Sequence, residues 1–213
     1  MPISDGTDMT AAMMTPGKTA GQVRLAGRPR SSACRQAILR AAYELLSESG
    51  LRNFTIEGVA ARSGVARSTI YRWWPTKGAL AIEGFLEATA SHITFPHTSS
   101  AKADLKVQMR LVAKMLRGGA GRILCGIIAE GQSDPETIAA FAVGYLTPRR
   151  RECAAILRRG IDNREFRADL DIPTVQSALY SPLHLRLLLR EPIDDPWVEN
   201  LAETVLRGCL AGD

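Results

Sequence analysis

Apolar residues in this chain recur at the spacing of α-helices, and the pattern predicts an all-α protein. The first periodic segment starts near Ser32 and stops at Gly50, a residue type suited to the left-handed position after a helix. The inward face of this segment is formed by Ile38, Ala41, Ala42, Leu45 and Leu46. No segment longer than a few residues alternates apolar and polar side chains as a strand does.

Two short helices and a longer one are predicted to follow the first helix. Thr55 is suited to cap a short helix that ends near Arg62, and a tight turn follows at 63–65. A second short helix is expected over 66–74, because a proline comes directly after it. Thr76 can then cap a longer helix. Ala66 is a poor capping residue, so the helix over 66–74 is either capped by Ser63 or has no side-chain cap.

The rest of the chain is predicted to form further helices separated by breaks rich in Pro or Gly. They are expected at 101–116, near 123–128, at 135–160, from Pro173 onward with a kink at Pro182, and from Asp195 to the end. Either Ser133 or Asp134 is expected to cap the helix over 135–160. Pro135 is suited to the first position of this helix, because the N–H group that proline lacks would have no partner there. A flexible corner is expected at 118–121.

The positive charge of the chain is concentrated in one quarter of its length. The 213 residues carry a formal charge of +5, but residues 24–80 alone hold 10 basic and 3 acidic side chains, whereas residues 81–213 are close to neutral. Such asymmetry predicts a polyanionic partner of the early segment. A membrane-surface or architectural DNA-binding protein would keep its positive charge along the whole chain, so sequence-specific binding to double-stranded DNA is favoured.

The sequence lacks the common motifs of enzymes and metal sites. It has three histidines, no H-E-x-x-H or G-x-S-x-G, and no Lys-Ser/Thr after the glycines at 118–121. Its cysteines are scattered without a C-x-x-C pair, at Cys34, Cys125, Cys153 and Cys209. We expect no catalytic residue, metal or cofactor. An enzyme is the main alternative, and gel filtration with a DNA shift assay distinguishes it from a regulator.

The sequence also indicates a cytoplasmic protein that does not enter the membrane. No apolar run approaches the roughly 20 residues that span a bilayer. The first 23 residues carry acidic side chains and no hydrophobic stretch, so they are expected to be disordered and not a secretory signal peptide. The Arg149-Arg150-Arg151 triplet is interpreted as a solvated helix face.

The two short helices joined by a Gly-containing turn form a helix-turn-helix pattern, with Val65, Ile70 and Trp74 spaced to pack behind the second helix. The residues of the pattern are Ala37-Ile38-Leu39, Gly50, Thr55-Ile56, Val59-Ala60, Ser63-Gly64-Val65, Ser68-Thr69-Ile70-Tyr71, Trp74, Thr76-Lys77 and Leu80. This run resembles the DNA-binding domain of TetR-family transcriptional regulators. The stretch from Arg158 to Leu189 is similar to one C-terminal subgroup of the family.

The resemblance implies a fold and a domain organisation. Residues 1–31 are expected to be a disordered extension with a basic arm, and 32–80 a three-helix helix-turn-helix domain. Residues 81–213 would form a helical domain for ligand binding and dimerisation. The expected protein is a homodimeric repressor that a small-molecule effector releases from a palindromic operator.

The resemblance also implies roles for residues in the basic quarter. Thr55, Tyr71 and Lys77 would bind phosphates. The candidates for contact with base edges are Arg67, Ser68, Thr69 and Arg72, with Trp73 on a sugar or against the protein. Arg28 and Arg30, in Ala-Gly-Arg-Pro-Arg, resemble an arm that enters an A·T-rich minor groove or a loosely held phosphate-binding tail. The plainer alternatives are a core position for Tyr71 and a solvated face for the arginines.

Two further groups of residues are assigned to the C-terminal domain. The effector pocket is expected to be lined by Met109, Val112, Met115, Ile127, Phe141, Tyr145, Tyr180 and His184, unless these residues only fill a core. The dimer interface is expected to contain Leu187, Val198, Leu201, Ala202, Val205 and Leu206, unless this stripe packs only within the chain.

Overall fold

The computed structural model describes residues 28–90 and 94–211, and this part of the chain is almost entirely helical. The helices are α1 (Arg28–Ser49), α2 (Ile56–Ser63), α3 (Arg67–Trp73), α4 (Lys77–Thr89), α5 (Ala101–Arg117), α6 (Gly119–Gly131), α7 (Pro135–Phe141), α8 (Thr147–Asp162), α9 (Ile172–Leu189) and α10 (Asp195–Arg207). Within these residues, one isolated bridge between Phe166 and Leu210 is the only strand-like pairing. The predicted all-α fold class is confirmed.

The first four helices form a compact unit in which α1 packs against α2 and α4, and α2 packs against α3. Thr55 caps α2 as predicted, because its hydroxyl accepts a hydrogen bond from the Gly58 N–H at 3.0 Å. Helix α3 has no side-chain cap at Ala66. The Ser63 hydroxyl does not supply one, since it accepts from the Val65 N–H at 3.3 Å.

In the second part of the chain, α5 packs against α6, α8, α9 and α10. The corner between α5 and α6 is tighter than the predicted flexible stretch, because Gly118 alone separates the two helices. Gly121 allows this turn, since a Cβ atom there would overlap the backbone carbonyl of Leu116. At the other end of α5, the Glu165 carboxylate accepts from the Ala101 N–H at 2.6 Å and the Lys102 N–H at 2.9 Å.

The prediction of a single helix over 135–160 is wrong in one respect. A π-helical turn, Ala142–Leu146, separates α7 from α8. Pro148 gives the reason, because it lacks the N–H that would continue the regular α-helical hydrogen bonds through this turn. Of the two predicted caps for α7, Asp134 is used, since its carboxylate accepts from the Glu136 N–H at 3.1 Å. Helix α9 continues through Pro182 without ending there.

None of the described helices is both long and apolar enough to cross a bilayer. Within residues 28–90 and 94–211, no three His, Cys, Asp or Glu side chains are grouped closely enough to hold a metal ion.

Candidate functional site

Helix α3 presents a polar face to solvent and packs against α2 with its opposite, apolar face. The side chains of Arg67, Ser68 and Arg72 are exposed, and Thr69 is half-buried. Ile70 is fully buried behind them, and Trp74, directly after the helix, is 3% exposed. The predicted division of this helix into an outward polar face and an inward apolar face is therefore found in the structure.

The three candidate phosphate-binding residues lie at or beside helix ends on the same unit. Thr55 is exposed at the start of α2, and Tyr71 on α3 has 48% of its surface exposed, which excludes a core position for it. Lys77 is the first residue of α4 and lies 3.4 Å from the Glu130 carboxylate of α6. The Lys77 side chain is therefore partly exposed to solvent and also contacts the C-terminal domain.

A polar link that the sequence analysis missed holds the end of α3 against α4. The Glu83 carboxylate accepts a hydrogen bond from the Trp74 indole N–H and pairs with Arg35 of α1. Trp73 is half-buried and stacks edge-on against Trp74, with ring centroids 5.5 Å apart. Glu83 was not identifiable from sequence because it lies nine residues from Trp74 and belongs to no motif.

The expected basic arm needs a correction. Helix α1 begins at Arg28, so the backbone of Arg28 and Arg30 belongs to the first helical turn and is not extended. Pro29 is compatible with this position, since the first N–H groups of a helix have no partner within it. The side chains of Arg28 and Arg30 lie outside the described residues, as does the chain before Arg28.

Four of the eight predicted pocket residues come together around a cavity of about 110 Å³ between α5, α8 and α9. They are Val112, Tyr145, Tyr180 and His184. The other four do not line it and are corrected to core positions. They are Met109, Met115, Ile127 and Phe141, each at most 7% exposed. These side chains point inward and pack against neighbouring helices. Sequence periodicity alone does not distinguish such a core position from a position in a cavity wall.

The cavity also has polar walls that the sequence analysis missed. Gln108, Arg149, Arg150, Cys153 and Gln176 contribute to its lining. The solvated face predicted for 149–151 is therefore wrong for Arg149, which is half-buried, although Arg150 and Arg151 are exposed. The reason is helical geometry, since successive residues on a helix point about 100° apart and the three side chains therefore differ in burial.

Burial sets the protonation of the groups in this cavity. Desolvation raises the pKa of the Cys153 thiol to about 11, which keeps it neutral and unreactive. Burial also lowers the pKa of His184, so the imidazole is neutral at pH 7. The nitrogen Nδ1 of His184 lies 2.9 Å from the Tyr180 carbonyl oxygen and therefore carries the proton, while Nε2 is buried without a partner among the described residues.

The predicted dimer residues fall into two groups. Val198, Ala202 and Leu206 are at most 1% exposed, because this side of α10 packs against α5 and α9 of the same chain, and they are corrected to core positions. Leu187, Leu201 and Val205 are half-buried and remain near the surface. The most exposed leucines of this region were not predicted: Leu185, Leu188 and Leu189 on α9, at 57%, 45% and 59%.

Two family models together match most of the described chain. The model of bacterial regulatory proteins of the tetR family matches residues 38–83. The model of the tetracyclin repressor-like C-terminal domain matches residues 95–205. The first match covers α2, α3 and parts of α1 and α4, and the second covers the region that contains the cavity.

Individual relatives agree with this assignment. The uncharacterized HTH-type transcriptional regulator YdeS of Bacillus subtilis is 32% identical over 87% of this chain and 94% of its own length. The DNA-binding transcriptional repressor TetR of Mycobacteroides abscessus is 25% identical over 84% of this chain and 93% of its own. The crystal structure of the TetR family transcription regulator SCO0332 is 36% identical and superposes with a TM-score of 0.74, over 82% of this chain and 97% of that one.

These matches decide between the two classes of function that the sequence left open. The relatives are DNA-binding transcriptional regulators, which are not enzymes, and the fold and the exposed polar face of α3 agree with that function. The chain is therefore a member of the TetR family of helix-turn-helix transcriptional regulators.

Proposed function

We propose that the protein is a homodimeric repressor that binds a palindromic operator and leaves it when a small molecule enters the cavity between α5, α8 and α9. The observation that carries the proposal is the exposed polar face of α3, held on a buried apolar face within the basic quarter of the chain. The name of the Mycobacteroides abscessus relative supports repression as the direction of control. A repressor of this kind acts in the cytoplasm, where it meets chromosomal DNA.

The assignment of roles on the DNA-binding unit follows the geometry of the helices. An α-helix fits the major groove of B-DNA, and an exposed Arg67 or Arg72 can offer its guanidinium to guanine N7 and O6. Three residues at or beside helix ends carry hydroxyl or ammonium groups that suit phosphate oxygens: Thr55, Tyr71 and Lys77. One such helix contacts few base pairs, so two copies about 34 Å apart along the duplex are needed for a specific operator.

An exposed apolar face on α9 supports dimerisation in the C-terminal domain. Leu185, Leu188 and Leu189 lie within five residues and expose large side chains in the single chain. Half-buried Leu201 and Val205 on α10 extend this surface. Burying these side chains against the same surface of a second copy would remove them from water around a two-fold axis.

The π-helical turn supports a physical connection between the cavity and the DNA-binding unit. Tyr145 lines the cavity and also packs against Phe85 of α4, with ring centroids 5.6 Å apart. Gly144 fits closely against the same helix, since a Cβ atom there would lie 2.9 Å from Leu86 Cδ1. A ligand that moves Tyr145 therefore presses on α4, whose first residue is Lys77.

The operator is found by selecting binders from random duplex DNA with the full-length protein. Lys77→Ala and Tyr71→Phe should weaken binding to all selected sequences, whereas Arg67→Ala and Thr69→Ala should change which bases are preferred. Loss of the Lys77 ammonium should reduce the slope of log K against log salt by about 0.9, whereas loss of the neutral Tyr71 hydroxyl should leave the slope unchanged. Arg151→Ala removes an exposed charge on α8 and is the matched control, which should bind like the wild type.

A relaxed base preference in Lys77→Ala, with an unchanged salt slope, would contradict the role given to Lys77. Selection that enriches no sequence at all would contradict the proposed function itself.

The dimer surface is tested by sedimentation of Leu185→Glu/Leu188→Glu. Two charges placed in an apolar interface should give folded monomers, because neither carboxylate would have a partner there. Val143→Glu is the matched control, since Val143 is 73% exposed on the π-helical turn and should leave the dimer intact. Dimers that persist in the double variant would place the interface elsewhere.

A further inference from the structure

Among the described residues, Arg149 of the cavity lining forms no ion pair with a carboxylate. The guanidinium of Arg149 lies over the Tyr145 ring, 4.0 Å from its centroid, and donates to the Tyr145 carbonyl oxygen at 3.3 Å. Its Nε atom is buried and has no hydrogen-bond partner among the described residues. Glu152, three residues further along α8, is exposed and lies outside the cavity lining.

The charged side chains that line the cavity, among the described residues, are all positive. In the part of the chain that the structure describes, the lining includes Arg149 and Arg150 but no aspartate or glutamate. Burial lowers the pKa of Arg149, and the partial charge of Tyr145 and the negative charge of Glu152 oppose that effect. A guanidinium remains cationic at physiological pH in spite of such shifts. A half-buried positive charge that forms no ion pair among the described residues is only partly compensated, so the site favours a ligand that brings a negative charge.

The remaining polar atoms define the rest of the ligand. His184 Nε2 is an unprotonated, buried acceptor without a partner, so a hydroxyl or N–H group of a ligand can donate to it. Val112, Tyr145 and Phe95 supply apolar wall between these polar groups. The volume of about 110 Å³ fits a compact ligand of one ring or a short chain.

We propose that the effector is a small organic acid whose carboxylate binds Arg149 and whose hydroxyl or N–H group donates to His184. This proposal rests on the proposed function for its effect on the operator, but the binding itself is independent of DNA. The planar fork of arginine suits a carboxylate, because two parallel N–H···O bonds can form at once. An acid bound there also competes with the Tyr145 carbonyl oxygen for an N–H of the guanidinium, which connects the ligand to the residue that packs on Phe85 of α4.

The test uses isothermal titration of the full-length protein with benzoate, salicylate and para-hydroxybenzoate, each compared with its primary amide. The amide has nearly the same shape but no charge. At least one acid should bind at least about tenfold more tightly than its amide, since a charge-assisted hydrogen bond is about twice as strong as a neutral one. The hydroxy acids should bind more tightly than benzoate if the donor to His184 is used.

Three variants separate the role of Arg149 from general effects of charge. Arg149→Gln should remove the preference for the acid, whereas Arg149→Lys should keep part of it because the positive charge remains. Arg151→Gln makes the same change of charge on the exposed side of α8 and should bind acids like the wild type. Because Arg149 has no acidic partner, Arg149→Gln leaves no carboxylate unpaired and should fold, which circular dichroism checks.

Two results would overturn the proposal: amides that bind as tightly as their acids, or an acid preference that survives Arg149→Gln. Failure of all three acids to bind more tightly than about 1 mM would also overturn it. Operator selection with ligand-free protein is a separate measurement. Acid binding without operator binding would support this site and contradict the proposed function. Operator binding without acid binding would support the DNA-binding function and contradict this site.

Discussion

Gly78→Ala should loosen the contact between the DNA-binding unit and the C-terminal domain. Gly78 is buried in the first turn of α4, directly beside Thr137 of α7. A Cβ atom at position 78 would overlap Thr137 Oγ1 and lie 3.3 Å from Thr137 Cβ. The Thr137 hydroxyl cannot rotate away freely, since it donates to the Asp134 carboxylate at 2.5 Å.

The size of the effect follows from three opposing contributions. Alanine in place of glycine would by itself favour a helix by roughly 0.5–1 kcal/mol. Overpacking of a close contact costs about 1–3 kcal/mol, and losing the Thr137 hydrogen bond costs about 1 kcal/mol more. The unfavourable contributions are larger, so we expect a net loss of about 1–3 kcal/mol. This corresponds to a fall in Tm of roughly 2–12 °C for a protein of this length.

The assay is thermal unfolding at one fixed protein concentration, with a double-mutant cycle between positions 78 and 137. Thr137→Ala removes the overlapping oxygen, so Gly78→Ala should cost clearly less in the Thr137→Ala background than in the wild type. Gly126→Ala is the control in α6, since a Cβ atom there meets Leu51 Cβ at an ordinary 3.5 Å. It should leave stability unchanged or raise it by up to about 1 kcal/mol.

Additive effects of the two substitutions, within about 0.5 kcal/mol, would refute the argument that Gly78 is required by its contact with Thr137. A loss of stability in Gly126→Ala as large as that in Gly78→Ala would refute it as well, because the effect would then not depend on the close contact.

Three further substitutions test the ion pairs of Glu130 on α6 and Asp104 on α5. Glu130→Gln should strengthen operator binding roughly 1.4–5-fold in a gel-shift titration, because it frees Lys77 from a partly exposed pair worth about 0.2–1 kcal/mol; an unchanged or weaker affinity would contradict this. Asp104→Ala should lower the free energy of unfolding by about 3–5 kcal/mol in urea titrations, since it leaves Arg159 without its buried partner. Burial alone would raise the pKa of Asp104, but hydrogen bonds from Thr98 and Arg159 lower it overall, so its contribution to stability is present at neutral pH and is lost as the pH falls below about 4. Asp104→Asn should therefore flatten the acid limb of the stability curve, and an unchanged limb would count against the assignment.

Much of the DNA-binding unit could be predicted from local sequence. Thr55 and Thr76 cap α2 and α4, and each hydroxyl accepts from the N–H three residues later. Gly64 ends α2 with a φ of 69°, a conformation that other residues rarely adopt. These features act within one turn of helix, so the order of residues is sufficient to locate them. The outward polar face of α3 follows from the same periodicity.

The C-terminal domain depended on contacts that lie far apart in the chain. Periodicity correctly found the apolar face of α10, but it did not show that Val198, Ala202 and Leu206 face α5 of the same chain. It also could not distinguish Arg149 from Arg151, because three consecutive arginines have the same composition whichever way the helix is turned.

The sequence by itself therefore determined most of the helices and caps, the charge asymmetry and the helix-turn-helix unit, but not the π-helical turn that divides 135–160. The tertiary structure decided which face of each helix meets another helix, a cavity or solvent. The physical reason is that helix formation depends on neighbours within about four residues, whereas the rotation of a packed helix is set by side chains distant in sequence. Tyr145 shows the difference, since only the packing of α4 against the π-helical turn brings it between Phe85 and the cavity.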